Sequence, residues 1–377
     1  MSPPRHPYAD LPDTAYWRRA VGAAAPGALD PVVAAPFQIG ARTKVAAAGS
    51  CFAQHIGRYL KAAGCAALVT EAAHPVMTEA AARALNYGIY TARTGNIYTA
   101  RQLLQLIERA YGRFSPREDI WDEGGGVFLD PFRPTIQPGG FASRREYDID
   151  RARHFAAVRE AFETLDVFVF TLGLTEAWRA RADGAVFPVC PGVSGGRFSA
   201  EAHEFVNFGV AEVVDDLAAF LRALRAVNPA AKVILTVSPV PLAATAEPQH
   251  VLTSTVYSKS VLRVAAEMTV KAHENVAYFP SYEIVTSGFA GDYFAADRRS
   301  VTEAGVAHVM RVFADHYLKG SAAGGAFAEI VRKAAAPVTG VVGAQARAAG
   351  LEAAFAVMCD EEALDAAPVI ARPPDPA

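Results

Sequence analysis

The sequence predicts an α/β protein built on a doubly wound, five-stranded parallel sheet, and three observations predict it. Five short apolar runs lie at residues 44–48, 66–70, 166–171, 232–237 and 276–279. Strand breakers follow most of them, at Gly49, Gly173, Ser238-Pro239 and Pro280. Segments of helical spacing separate the runs. Strands apolar on both faces suit a parallel sheet, because helices cover each side of it, and strand–helix alternation along most of the chain is the signature of that class.

The elements follow in order. After the first strand, Phe52, Ile56, Tyr59 and Leu60 share one helical face. A second strand is expected at 66–70. Leu103, Leu104 and Ile107 mark a helix starting near Thr99. Helices at 154–164, 210–227 and 254–270 precede the third, fourth and fifth strands, and a last helix spans 302–317. Two long loops, 111–153 and 179–205, are rich in Gly, Pro and aromatics. Ligands of such sheets bind at the carboxyl ends of the strands, and loops of this length are more often functional than accidental. Three regions result: an N-terminal extension (1–35), the α/β domain (36–318) and an Ala-rich C-terminal extension (319–377). The last is expected to hold one or two helices and no chemistry.

Of the 377 residues, 52% are hydrophobic and the formal net charge is −3, so no broad basic field attracts nucleic acid or an anionic membrane. The four cysteines, Cys51, Cys65, Cys190 and Cys359, are scattered and read as reduced thiols. The N-terminal MSPPRHPYADLPDTAYWRRA has no apolar core of a signal peptide, and no apolar run is long enough to span a bilayer. A cytoplasmic protein with no membrane span is expected. No His, Cys or carboxylate spacing suggests a metal site, and no cofactor is expected.

The chemistry centres on VAAAGSCFAQHIGRYL, residues 45–60. A strand ends at Gly49 and Ser50 precedes a helix. There a hydroxyl projects into the cleft, and backbone N–H groups at the helix start can stabilise an oxyanion. Serine is also a preferred helix cap, which would need no chemistry.

Gly49-Ser50-Cys51-Phe52-Ala53 spells the motif of the GSCFA family, and this part of the chain resembles it. NYGIYTARTGNIYTA (86–100), VFVFTLGLTEAW (167–178), LTVSPVP (235–241) and YFPSYEIV (278–285) are similar to later blocks of that family, in the same order. The resemblance implies an SGNH (GDSL-like) esterase fold, a flavodoxin-like three-layer α/β/α sandwich. It also implies a serine nucleophile after the first strand, oxyanion donors from the second and third blocks, and an Asp and a His from one late DxxH motif. Carried over, Ser50 matches the nucleophile and Gly95 the glycine of the oxyanion hole. Thr175 stands where the superfamily has asparagine, and Asn96 is the alternative donor. Asp297 matches the Asp of DxxH, but Ser300 stands where the His belongs.

A serine hydroxyl cannot serve as the general base near neutral pH. A relocated base is therefore expected, first His250 in the loop after the fourth strand, then His203 after the third. Lys259 is a further candidate, since Ser–Lys pairs exist. Glu176 and Trp178, after the third strand, are candidate substrate contacts, and an aromatic there can stack on a sugar. The function the resemblance implies is a serine-type ester hydrolase or O-acyltransferase acting on a small-molecule or glycan ester, with acylated carbohydrate the substrate class it suggests. The alternative is a catalytically degenerate glycan-binding module of the same fold.

Overall fold

Along residues 167–172 the side chains alternate between two buried faces, and that alternation organises the molecule. The computed structural model describes residues 6–318 other than 26, 63 and 290, together with 360, 363 and 364. A 3₁₀ turn and the short α1 (Trp17–Ala20) lead to β1 (Val45–Gly49) and α2 (Ala53–Ala62). Next come α3 (Glu79–Ala84), α4 (Ala100–Ala110), the hairpin β2 (Trp121–Gly124) and β3 (Val127–Leu129), and α5 (Arg144–Thr164). β4 (Val167–Leu172) is followed by β5 (Glu176–Ala180), β6 (Val186–Phe187), β7 (His203–Asn207) and α6 (Val210–Val227). The chain continues through β8 (Lys232–Val237), α7 (Val251–Ala272), β9 (Val276–Tyr278), α8 (Ser281–Thr286) and α9 (Glu303–Tyr317).

β1, β4, β8 and β9 form one parallel sheet in the order β1-β4-β8-β9. Phe168, Phe170 and Leu172 join Val233, Leu235 and Val237 on one face, packed against Leu103 and Ile107 of α4, Phe220 of α6 and Leu262 of α7. Val167, Val169 and Ile234 face the other way, onto Ile56 and Leu60 of α2 and Val309, Met310 and Phe313 of α9. Each such side chain contributes about 1.5–3 kcal/mol by leaving water. Helices thus cover both sides. Leu29 and Ile39, N-terminal to the sheet, are buried in the α9 layer. His308 pins Leu29 there, taking part in hydrogen bonds with the Leu29 carbonyl and the Tyr293 hydroxyl, both at 2.7 Å.

The sheet has four strands, not the five expected. Residues 66–70 make only an isolated parallel bridge, Val45 to Ala67, and then turn away. The reason lies in Thr91. Its hydroxyl accepts from the Ala47 N–H at 3.0 Å and donates to the Ala47 carbonyl at 3.3 Å, filling the places a neighbouring strand would take. Thr70 N–H then donates to the Thr91 carbonyl at 2.8 Å instead of extending the sheet.

The expected helices are present, with two starting earlier than their spacing indicated. α5 begins at Arg144, capped by the Ser143 hydroxyl, so the end of the expected 111–153 loop is helical. α7 begins at Val251 with His250 as its cap. The 179–205 loop is partly strand, because β5, β6 and β7 pair antiparallel in the order β6-β5-β7.

A buried ionic cluster binds the loops that follow α2 and α4. Arg93 bridges Glu71 and Asp150, and Arg133 bridges Asp130 and Asp150. His154 Nδ1 lies 2.8 Å from Glu71. Burial alone would raise the Glu71 carboxyl. The His154 bond and the Arg133 and Arg93 neighbours more than offset that, holding it at about 2. Burial, followed by the Arg133 charge, lowers His154. The expected helices of the C-terminal extension lie outside the described residues, apart from 360, 363 and 364.

Candidate active site

The first wall is the end of β1. Gly49 has φ 136°, and a Cβ there would lie 2.3 Å from the Thr171 carbonyl oxygen, so only glycine fits. That close approach lets the Ser50 N–H donate to the same oxygen at 3.1 Å. The Ser50 carbonyl accepts from Ala53 N–H at 2.8 Å and starts α2. Ser50 is 3% exposed, and its hydroxyl has no hydrogen-bond partner among the described residues. A capping serine would accept from the helix N–H groups. This one does not, so the capping alternative fails.

Residues 95–98 form the second wall. Ile97 N–H donates to the Gly49 carbonyl at 2.8 Å, laying this segment along the end of β1. Gly95 adopts φ 67°, which turns the chain into the wall. The Asn96 oxygen accepts from Gln54 Nε2 at 3.1 Å, which leaves the amide nitrogen to donate to Asp360. Thr99 then opens α4 with a reciprocal capping box to Gln102.

The third wall follows β4. Gly173 and Leu174 N–H groups donate to the Tyr98 carbonyl at 2.9 and 3.1 Å. A Cβ on Gly173 would lie 3.0 Å from Ser50 Cβ and 3.1 Å from the Tyr98 ring, so Ser50, Tyr98 and Gly173 meet at one point. α7 grips this loop from behind. Ser258 Oγ accepts from Thr175 N–H at 3.0 Å, and the buried Lys259 Nζ donates to the Gly173 carbonyl at 2.6 Å.

Above the second wall sits Asp360, buried and remote in sequence. Its Oδ2 accepts from Asn96 Nδ2 at 2.9 Å and from the Tyr98 hydroxyl at 3.4 Å. Its Oδ1 accepts from the Thr135 hydroxyl at 2.6 Å, and its N–H donates to the Tyr98 oxygen at 3.0 Å. Burial raises its carboxyl, with the three side-chain bonds opposing. A small cavity of about 30 Å³ lies behind Asn96, between Gln102, Arg133 and His154.

The expected site residues do not all gather here. Gly95 and Asn96 line the wall beside Ser50. Thr175 lies at the third wall, but its hydroxyl donates to Asn207 at 2.7 Å and its N–H to Ser258. Glu176 holds the loop after β8, accepting from the Thr245 hydroxyl at 2.7 Å and the Ala246 N–H at 3.2 Å. Trp178 packs on Phe198 and Phe205, at ring-centroid distances of 5.2 and 5.8 Å. His203 is buried, with Nε2 2.8 Å from Glu118 and Nδ1 accepting from Ser199 N–H. His250 is exposed, its Nδ1 accepting from Leu252 N–H at 3.1 Å. Asp297 is exposed, and it accepts from the Ser300 hydroxyl at 2.5 Å and from the N–H groups of Arg299 and Ser300. His55 lies on α2, where burial and then the Arg58 charge lower it to about 3, so it stays neutral. No histidine hydrogen-bonds the Ser50 hydroxyl.

Tyr98, Thr135 and Asp360 escape a sequence reading. The one available signal for Asp360 is the acidic trio Asp360-Glu361-Glu362 within an Ala-rich stretch. The C-terminal extension, expected to carry no chemistry, contributes the buried Asp360 to this wall. No helix among the described residues is long and apolar enough to cross a membrane.

Among curated proteins none matches this chain. Two solved structures are similar at low identity. One, from Streptococcus pneumonia and named for platelet activating factor, is 12% identical, with 42% of this chain and 66% of that chain covered and a TM-score of 0.25. The other, a carbohydrate esterase family 3 from Talaromyces cellulolyticus, is 16% identical, with 64% and 94% covered and a TM-score of 0.26. Likeness at that level leaves the site to speak through its own geometry. The sequence itself is decisive on kinship: the GSCFA family model matches residues 44–313, which hold the whole parallel sheet and all three walls, and the chain belongs to the GSCFA family.

Proposed function

We propose that this chain is a serine-type ester hydrolase or O-acyltransferase of the SGNH kind, acting on acylated carbohydrate, with Ser50 as nucleophile. One observation carries the reading. Ser50 presents a buried hydroxyl with no hydrogen-bond partner among the described residues at the carboxyl end of β1, where Gly173 and Tyr98 meet it. An orphaned buried hydroxyl costs free energy, about 1–3 kcal/mol, that packing alone does not recover. Sites of chemistry are where such costs persist.

The Ser50 oxygen would attack the ester carbonyl carbon. Its proton would pass to a base, for which Lys259, held at the Gly173 carbonyl at 2.6 Å, is the candidate. The developing oxyanion would take the Asn96 amide. Return of the proton to the leaving alkoxide releases the alcohol and leaves an acyl-serine. Water then gives hydrolysis, and a sugar hydroxyl gives transfer.

A fluorophosphonate tests this. Wild type is expected to label at Ser50 and to hydrolyse an aryl acetate, and Ser50→Ala to do neither. Folded wild-type protein that stays unlabelled from neutral to alkaline pH would refute it. Ser300 at the histidine position favours one second reading, a glycan-binding module of the same fold. Equal glycan affinity in wild type and Ser50→Ala, without turnover, would select that reading.

A further inference from the structure

Three neutral donors from two loops converge on one carboxylate. Asn96 and Tyr98 come from the wall beside Ser50, and Thr135 comes from the segment between β3 and α5. Among the described residues no lysine or arginine hydrogen-bonds the Asp360 side chain. We propose that Asn96, Tyr98 and Thr135 form a carboxylate-binding subsite, and that Asp360 is its built-in occupant, standing where the acid product of ester cleavage would sit. This rests on the ester-processing reading above.

The chemistry connects the two. Hydrolysis of R–CO–O–R′ by water yields R–COO⁻, R′–OH and a proton. The acyl oxygen that the Asn96 amide holds during reaction remains, on release, one of the two carboxylate oxygens. A donor on each oxygen of that product is what the cradle supplies, Asn96 on one and Thr135 on the other. Tyr98 ties the cradle to the nucleophile, since its ring meets the same Gly173 position that Ser50 Cβ meets. Neutral donors hold an anion less firmly than a guanidinium does, so the occupant can exchange. A ligand must therefore displace Asp360, and its apparent affinity falls by the fraction of time Asp360 is away.

Acetate is the probe, titrated by calorimetry into the full chain as wild type, Asp360→Ala, and Asp360→Ala with Asn96→Ala. Asp360→Ala is expected to bind acetate about tenfold more tightly than wild type, corresponding to an occupant in place about nine-tenths of the time. The second substitution should remove that gain. Equal acetate affinity in wild type and Asp360→Ala, or a gain that survives Asn96→Ala, would overturn the proposal and leave Asp360 a structural strap. Glucuronate runs in parallel, and tighter binding of glucuronate than of acetate would assign the cradle to an acidic sugar and overturn the product assignment. Should Asp360→Ala melt early, Asp360→Asn keeps the shape without the charge and is held to the same criterion. Missing fluorophosphonate labelling beside an intact acetate gain would sink the ester-processing reading and leave the subsite standing.

Discussion

The parallel sheet and the loop-built half beside it are held by different physics. β4 is buried along its whole length, flanked by apolar neighbours on both faces. The loops around Arg93 and Arg133 are equally buried, but charge against charge holds them. Apolar packing is insensitive to pH and tolerant of small shifts. A buried ion pair is neither, because removing one partner strands the other. The site lies on the seam, with Ser50 contributed by the first region and Asn96 by the second.

Substitutions can break that contrast. Phe168→Ala, in the sheet, is expected to cost about 3–5 kcal/mol in urea unfolding, equally at pH 5 and pH 8. Glu71→Gln, in the loop cluster, should cost about 3 kcal/mol at pH 7 and progressively less in acid. The Glu71 carboxyl sits at about 2 against an ordinary 4.5, so its stabilisation is complete above about 4.5 and is lost as pH falls towards 2. His154 acts in the same direction. Lowered below 6.5 in the fold, it leaves the unfolded chain to take the proton first as the medium acidifies. A Glu71→Gln deficit that stays constant from pH 7 to pH 3 would contradict the assignment. Thr99→Ala, which deletes the α4 capping box on the seam, is expected to cost about 1 kcal/mol by thermal unfolding.

The same contrast explains what could be read from the sequence. Runs such as Val167–Leu172 announce themselves because both faces are apolar. Ser50 was legible because a strand, a glycine and a helix follow one another locally. The fourth-strand count was not, since the hydroxyl of Thr91 replaces a strand that the apolar run at 66–70 suggested. β5 and β7 were hidden because Glu176, Trp178 and Glu204 mix polar and aromatic residues in a short antiparallel sheet. The cradle was illegible for a simpler reason. Thr135 and Asp360 are 225 residues apart, and no periodicity links them.

Thr91 also decides how the molecule meets its neighbours. Val45 shares its backbone groups with residues 66 and 68, Ala47 with the Thr91 hydroxyl, and Gly49 with Ile97. The outer margin of β1 therefore offers no open ladder for a passing chain to join. One hydroxyl, by impersonating a strand, closes the middle of an edge where uncontrolled self-association would otherwise begin.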